Sequence, residues 1–298
     1  MTLDDLIYKP GLLAGQRVLV TGGGTGLGRV MSEALLLLGA EIHICGRRGA
    51  VVEQTANELM AQHGGRVVPW VCDIRSDEGI QAMLDSIWQT HGPLDGLINN
   101  AAGNFVSRTE DLSSRAFDAI ANIVFRGSFY MTLECGKRWL AEGRKASVIS
   151  ILTTWVWNGS AFTVPSAMAK AGLNAMTQSL AVEWGGRGIR LNAIAPGLFP
   201  TEGMSARLNP GGGEHKAERN PMGRTGRMPE LANLAVFLMG PGSEYLNARR
   251  SPSTVRSTRP RVATLHTWSA GAMPIGNTPA RTSKKPTRPT AASGCRCL

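Results

Sequence analysis

Short apolar runs alternate with segments whose apolar positions recur every three or four residues, from about residue 17 to residue 240. The short runs predict strands, and the three-to-four spacing predicts amphipathic helices. The predicted strands are 17–21, 42–45, 67–72, 94–99, 147–150 and 189–194, and the predicted helices are about 27–38, 51–62, 77–89, 115–140, 166–184 and 229–239. This alternation predicts one α/β domain with a Rossmann-type, doubly wound parallel sheet, whose functional loops follow the carboxyl ends of the strands.

The pattern stops near residue 247. Residues 248–298 contain no acidic residue and are rich in Arg, Thr, Pro and Ser, a composition that buries too little apolar surface to offset chain entropy. We therefore predict a folded domain over 1–247 and a disordered basic tail over 248–298. The last strand of the sheet is expected to be missing or replaced by this irregular tail.

The tail has two interpretations, a segment that binds an anionic partner and the product of a frameshift. Codons that encode residues 248–264 can be chosen so that one added G changes the translation to GATLAIDGAQYPATGGN. That alternative supplies a strand and an acidic-glycine turn, which the sheet lacks at its end. The sequence favours a frameshift near residue 247.

Charge and composition exclude several classes of function. The net charge is +10, but ten of the 32 basic residues follow Asn247 and all 22 acidic residues precede Tyr245, so residues 1–247 are formally neutral. We expect no nucleic-acid-binding face on the domain. No apolar run is long enough to span a membrane, and Asp4 and Asp5 are unlike a targeting peptide, so a cytoplasmic location is expected.

The cysteines and histidines show no spacing typical of a metal site, and no metal is expected. Cys45, Cys72 and Cys135 are isolated from one another in apolar segments, so they are predicted to be buried free thiols.

A glycine-rich loop separates the first predicted strand from the first helix. Such a loop turns tightly and lets the backbone approach a pyrophosphate at a helix N-terminus. Its candidate cofactor-binding residues are Thr21, Gly22, Gly23, Gly24, Thr25, Gly26, Leu27 and Gly28. The second strand ends in Arg47 and Arg48 with no acidic residue, which favours the 2′-phosphate of NADP over the ribose hydroxyl of NAD. The alternative is that both arginines are merely solvated.

Taken together, these motifs resemble the short-chain dehydrogenase/reductase superfamily over about residues 10–247. The resemblance implies an adenine contact at Asp73, and Asn100 belongs to a segment, NNAAG, similar to the motif that stabilises the central sheet. It also places Pro196, Gly197 and Phe199 beside the cofactor. A homotetramer is implied if the C-terminus is intact.

Within the superfamily, the segments TGGGTGLG, NNAAGNF, VPSAMAKAG and TEGMSARL resemble the 2,4-dienoyl-CoA reductases. The resemblance implies hydride transfer from NADPH to a 2,4-dienoyl-CoA in fatty-acid β-oxidation, followed by protonation. It also implies Arg75 and Arg207 as contacts to the CoA phosphates and Phe105 as a wall of the acyl pocket. Arginines that are simply exposed to solvent are the alternative for the first two.

The chain departs from the superfamily at its catalytic positions. The usual Tyr four residues before Lys170 is Ser166, and the alternative Tyr position of the mitochondrial-type reductases, eleven residues before Ser166, is Trp155. The position of the usual Asn in the preceding helix is Val124. The three tyrosines of the chain are Tyr8, Tyr130 and Tyr245.

We therefore hypothesise that Asn104 and Trp155 hold the thioester oxygen, while a water ordered by Ser166 and Lys170 supplies the proton. By resemblance, Lys170 also binds the nicotinamide ribose. The structural alternatives are a turn residue for Asn104, a pocket wall for Trp155 and a helix N-cap for Ser166. Two other functions remain open, namely a reductase for another enoyl or carbonyl substrate and a cofactor-binding protein without turnover.

Overall fold

The computed structural model describes residues 1–202 and 221–253. Its centre is one sheet of seven strands, all parallel, in the order β3-β2-β1-β4-β5-β6-β7. The strands are β1 (Arg17–Thr21), β2 (Glu41–Gly46), β3 (Val67–Val71), β4 (Gly96–Asn99), β5 (Ala146–Ile151), β6 (Ile189–Pro196) and β7 (Arg250–Ser253). The predicted Rossmann-type fold is confirmed.

Helices cover both faces of this sheet. They are α1 (Gly26–Leu37), α2 (Gly49–His63), α3 (Asp77–Thr90), α4 (Ser114–Ala121), α5 (Ser128–Ala141), α6 (Trp155–Asn158), α7 (Val164–Trp184) and α8 (Met228–Met239). No helix in the described ranges is both long and apolar enough to cross a bilayer. The order of the strands reverses between β1 and β4, which makes a crevice at their carboxyl ends.

Alternate side chains of each strand enter two separate cores. Val18 and Val20 of β1 lie in the core that α1 and α8 cover, whereas Leu19 lies in the core on the side of α3 and α5. Burial on both faces explains why the central strands are apolar throughout. The second core also holds Cys45 and Cys72, which with Cys135 are buried free thiols as predicted.

The predicted helix 115–140 differs from the structure, because a π-helix (Asn122–Gly127) lies between α4 and α5. The π-turn brings Gly127 so close to the backbone of Ile74 that an added Cβ would lie 2.7 Å from the Ile74 carbonyl oxygen. The interruption therefore depends on a tertiary contact, which the spacing of apolar residues does not report.

The expected absence of the last strand is also corrected. Residues 250–253 form β7, which pairs with β6 from Ala193↔Arg250 to Pro196↔Ser253. Backbone bonds extend this pairing, since Ala248 N–H donates to the Leu191 carbonyl at 2.9 Å. An edge strand needs backbone partners on one side only, so a polar sequence that contains a proline can form it. The rest of the predicted tail, 254–298, lies outside the described residues.

A buried histidine, His43, lies on β2 next to the edge strand β3. Trp70 Nε1 donates to His43 Nδ1 at 3.0 Å, so the proton of the neutral His43 ring is on Nε2, which faces Glu41 Oε1 at 3.1 Å. His91 Nδ1 lies 3.1 Å from the same carboxylate oxygen. Desolvation by burial is the largest effect on His43 and lowers its pKa to about 4.

Stability is therefore expected to fall as the pH drops from about 6.5 towards 4. In this window His43 binds a proton in the unfolded state but stays neutral in the folded state. Glu41 opposes the lowering of its pKa, whereas Arg17 and His91 add to it. The loss is on the order of 2–3 kcal/mol. His43→Gln retains one donor and one acceptor but does not titrate. Urea unfolding of both proteins at pH 7 and pH 5 should show a smaller pH-dependent loss for the variant, and equal losses would contradict the assignment.

Candidate active site

The loop between β1 and α1 forms one wall of the crevice. Gly22 has φ +65°, and a Cβ added to it would lie 3.0 Å from Ala101 Cα. Gly28, in the first turn of α1, faces the Gly22 carbonyl so closely that a side chain there would collide with it. The hydroxyl of the N-cap residue, Thr25, makes no capping hydrogen bond. The N-terminus of α1 therefore presents backbone donors that suit an anionic ligand.

A buried hydroxyl fixes this loop to the neighbouring strand. Thr21 Oγ1 accepts from the backbone N–H groups of Asn100 and Ala101, each at 3.0 Å, and donates to the Ile98 carbonyl at 3.3 Å. The Asn100 amide donates in turn to the carbonyls of Thr21 and Gly22 at 3.0 and 3.2 Å. Thr21 and Asn100 thus hold the loops after β1 and β4 in one rigid unit.

The two loops and the ends of β2 and β3 enclose a cleft of about 1130 Å³. Ten of the predicted site residues line it, namely Gly22, Gly24, Thr25, Gly26, Leu27, Arg47, Arg48, Asp73, Asn100 and Asn104. The others within the described ranges lie outside its lining, and they are Thr21, Gly23, Gly28, Arg75, Phe105, Trp155, Ser166, Lys170, Pro196, Gly197 and Phe199. Arg207 lies outside the described residues.

Two of the arginines that line the cleft carry no carboxylate partner among the described residues. Arg47 and Arg48 are exposed at the end of β2 and form no ion pair within those ranges. Arg29 also lines the cleft, but its Nη1 lies 2.6 Å from Glu58 Oε2. Arg47 and Arg48 are therefore the guanidinium groups of this wall that an anionic ligand can engage without breaking an existing pair.

Asp73 and Arg75 contact each other. Arg75 Nε donates to both Asp73 carboxylate oxygens at 3.0 Å, and Nη2 donates to Oδ2 at 2.5 Å. The hydrogen bonds from Arg75 lower the pKa of Asp73, with a smaller contribution from Arg47. Asp73 is thus an ionised acceptor in the cleft. The predicted contact of Arg75 with CoA would compete with this pair, and it stays a prediction.

Helix α7 carries a buried lysine without a counter-ion. Lys170 is 6% exposed, its ammonium donates to the Ile151 carbonyl at the end of β5, and no carboxylate within the described ranges pairs with it. Desolvation lowers its pKa to about 8. Ser166 is also buried and lies one turn earlier on α7. Burial of an unpaired ammonium costs stability, which is typical of a functional position rather than a structural one.

The predicted oxygen-binding groups have different surroundings. Asn104 Oδ1 accepts from the Phe105 N–H at 2.9 Å, so the carboxamide is turned towards its own backbone and its NH₂ group remains as the donor. Trp155 begins the short helix α6 and is half-buried. Val124 is fully buried in the π-helix. None of the three tyrosines, all of which are described, lines the cleft.

Three other predicted positions are parts of the core or its edge. Phe105 packs against the core cluster that contains Val124. Phe199 is 3% exposed and belongs to the core beneath α1 and α8. Pro196 ends β6, and Gly197 follows it. Whether these residues contact a cofactor or substrate stays a prediction.

A buried polar network between β4, β5 and α5 was not predicted from the sequence. Asn99 Nδ2 donates to Thr132 Oγ1 at 2.7 Å, and this hydroxyl donates to the Ser128 carbonyl at 2.8 Å. Ser150, paired with Asn99 in the sheet register, is also fully buried. Polar residues in otherwise apolar strands were the available signal. Pro200, Thr201, Glu202 and Met228 were missed as well, although they line the cleft.

The absence of a metal stays a prediction. Potential ligand atoms of Glu41, His43 and His91 lie within 4.8 Å of one another. However, the hydrogen bond from Trp70 to His43 Nδ1 places the ring proton on Nε2, the atom that a shared ion would require. This cluster is therefore arranged as a hydrogen-bonded group.

Comparisons with known proteins agree with this architecture. The model of the family described as enoyl-(acyl carrier protein) reductase matches residues 22–251. The chain is 42% identical to a Caenorhabditis elegans protein named probable 2,4-dienoyl-CoA reductase 3, with 81% of this chain and 80% of that protein covered. It is 35% identical to a Bacillus subtilis protein named probable 2,4-dienoyl-CoA reductase, with 77% of this chain and 91% of that protein covered.

Solved structures give the same result for the fold. A short-chain dehydrogenase from Bacillus anthracis superposes with a TM-score of 0.73 at 36% identity, covering 80% of this chain and 94% of that one. A putative gluconate 5-dehydrogenase from Beutenbergia cavernae with bound NADP has a TM-score of 0.75 at 28% identity, covering 83% and 98%. The chain therefore belongs to the enoyl-(acyl carrier protein) reductase family of short-chain dehydrogenases/reductases and resembles the 2,4-dienoyl-CoA reductases.

Proposed function

We propose that the chain is an NADPH-dependent reductase of 2,4-dienoyl-CoA thioesters. The observation that carries the proposal is a dinucleotide-sized cleft with Asn104 in its lining. Two relatives that match about four fifths of the chain are named probable 2,4-dienoyl-CoA reductases. A role in β-oxidation, a homotetramer and a cytoplasmic location remain predictions of the sequence. Relatives named peroxisomal, such as that of Danio rerio, offer a different compartment for comparison.

The residues of the cleft fit NADP(H). Gly22 and the N-terminus of α1 suit the pyrophosphate, and Asp73 suits the adenine. Arg47 and Arg48 suit a 2′-phosphate, because they have no carboxylate partner in the described ranges and β2 ends without the acidic residue typical of NAD sites. The bound cofactor would supply the hydride.

The chain must then stabilise the negative charge that develops on the thioester oxygen as the far end of the diene accepts hydride. The Asn104 carboxamide and the Trp155 indole N–H are the proposed donors to this oxygen. Protonation of the resulting dienolate gives the 3-enoyl-CoA. We assign that proton to a water ordered by Ser166 and Lys170, with the ammonium favouring the anion electrostatically.

The missing tyrosine supports a second candidate, a cofactor-binding protein without turnover. Neither Ser166 nor Trp155 is a general acid of the tyrosine type. A reductase for another enoyl or carbonyl substrate is the third candidate, because Trp155 and Trp157 would reshape the substrate pocket. Binding and turnover must therefore be measured separately.

The decisive experiment measures NADPH binding by fluorescence and NADPH oxidation with 2,4-hexadienoyl-CoA. It uses this chain and a chain whose C-terminus follows the alternative frame from residue 248, since we also propose a frameshift there. We expect turnover in the frame-restored chain, and Trp155→Phe should lower its kcat about a hundredfold through loss of one oxyanion donor. Trp88→Phe, which changes a tryptophan of α3 outside the cleft lining, is the matched control.

Bound NADPH without oxidation in both chains would reject the dienoyl-CoA proposal and support the cofactor-binding candidate. Oxidation with a carbonyl or another enoyl substrate alone would support the third candidate. If neither chain binds NADPH, all three candidates are wrong.

The preference for NADPH is expected to depend on Arg47 and Arg48. Replacing both by Ala should raise the Kd for NADPH about ten- to a hundredfold, because charge-assisted hydrogen bonds to the 2′-phosphate are lost. The Kd for NADH should change little, which makes it the internal control. Arg187→Ala, an exposed arginine on the turn after α7, should affect neither cofactor. Equal losses for NADPH and NADH would assign the two arginines a general role instead.

Lys170 is expected to support activity at the expense of stability. Its folded pKa of about 8 lies below the ordinary value of 10.5, so the folded protein binds fewer protons than the unfolded chain between these values and gains stability as the pH rises. Lys170→Met should lower kcat about a hundredfold and raise the unfolding free energy at pH 7 by up to about 3 kcal/mol. It should also abolish the rise in stability between pH 8 and 10, as measured by urea unfolding; a retained rise would contradict the assignment.

A further inference from the structure

The loop between β3 and α3 lies against the π-helix. This loop contains Asp73, which lines the cleft, and leads into Asp77, the first residue of α3. Gly127 brings the backbone of the π-helix against the Ile74 carbonyl, where there is no space for a side chain. The wall of the cleft that carries Asp73 is therefore in direct contact with a different element of the fold.

Arg126 links the π-helix to the loop between β3 and α3 through both terminal nitrogens of its guanidinium. Nη1 donates to the Arg75 carbonyl at 2.8 Å, and Nη2 donates to Asp77 Oδ2 at 2.8 Å. The guanidinium also lies over the Tyr130 ring of α5, 4.8 Å from its centroid. One side chain thus binds the loop on either side of Ser76 while it stays anchored to its own helix.

The bonds inside the loop transmit this position to the cleft. The backbone N–H of Arg75 donates to Asp73 Oδ1 at 3.1 Å, and that of Ser76 donates to the Asp73 carbonyl at 2.9 Å. Arg126 holds the carbonyl of Arg75, whose N–H and guanidinium both bind Asp73. A shift of this loop would therefore move the Asp73 carboxylate.

We propose that Arg126 is a positioning residue for the adenosine half of the dinucleotide. It is not part of the lining of the cleft, and it acts through Asp73 and the loop that carries it. The inference rests on the proposed NADPH binding and on the predicted contact of Asp73 with adenine. Arg126 is expected to affect only the adenosine end of the ligand, because the nicotinamide end is assigned to Lys170 on another helix.

A second arginine, on α5, provides a matched control. Arg138 of α5 binds Asp85 of α3 with an Nη2–Oδ1 distance of 2.5 Å and lies over the Trp88 ring at 5.7 Å. It therefore also joins α3 to the segment formed by the π-helix and α5, through an ion pair and an aromatic contact further along α3. It makes no hydrogen bond to the loop from Asp73 to Asp77, all of which is described.

The test compares the binding of NADPH with that of reduced nicotinamide mononucleotide, which lacks the adenosine half. Arg126→Met should raise the Kd for NADPH about tenfold and leave the Kd for the mononucleotide unchanged. Arg126→Lys, which keeps the charge but not the two-ended contact, should recover part of the loss. Arg138→Met should change neither Kd. Asp77→Asn, which weakens one of the two bonds, should shift NADPH binding in the same direction and keeps the test usable if Arg126→Met does not fold.

Equal losses for both nucleotides would overturn the positioning role, as would unchanged NADPH binding in folded Arg126 and Asp77 variants. The same selective loss in Arg138→Met would overturn it too, because any link between α3 and α5 would then suffice. Absence of NADPH binding in the unmodified chain would reject the proposed function itself, and this inference with it.

Discussion

The hydroxyl of Thr21 joins the two halves of the cleft. The loop after β1 consists largely of glycine, so it has few side chains with which to hold its own shape. Its position is instead set from the adjacent strand, through two N–H groups that bind Thr21 Oγ1 and through the Asn100 amide that binds the loop carbonyls. The glycine loop is therefore held rigidly although it has few side chains, which leaves its backbone open to a pyrophosphate.

Features that depend on local sequence could be predicted well. The five residues predicted for β1 are those that form it, because an apolar run there meets a glycine loop at one end. The glycine loop was recognisable for the same reason, since Gly22 at positive φ and Gly28 beside a carbonyl are local requirements. The apolar central strands and the helices between them were sufficient to predict the sheet.

Features that depend on tertiary contacts could not be predicted. The π-helix exists where Gly127 meets Ile74, a residue about fifty positions earlier, and helical periodicity does not register that contact. β7 was missed because composition measures apolar burial, whereas an edge strand of four residues is held by backbone bonds to β6. The pairing of Asp73 with Arg75 was likewise invisible, although both residues had been singled out separately.

Without the catalytic tyrosine, the proposed reaction must assign oxyanion stabilisation and proton delivery to different groups. A tyrosine can donate a hydrogen bond to the oxyanion and also give up its proton, whereas a carboxamide or an indole N–H can only donate the hydrogen bond. In this chain the stabilisation of charge and the delivery of the proton must therefore reside in different groups. Lys170 suits the second task electrostatically, because its ammonium stabilises the anion beside the water that is proposed to give the proton. The desolvation that lowers its pKa to about 8 also leaves this charge weakly screened. Burial of the Lys170 ammonium without a counter-ion thus lowers the stability of the fold, and the same burial would strengthen its electrostatic effect on the reaction.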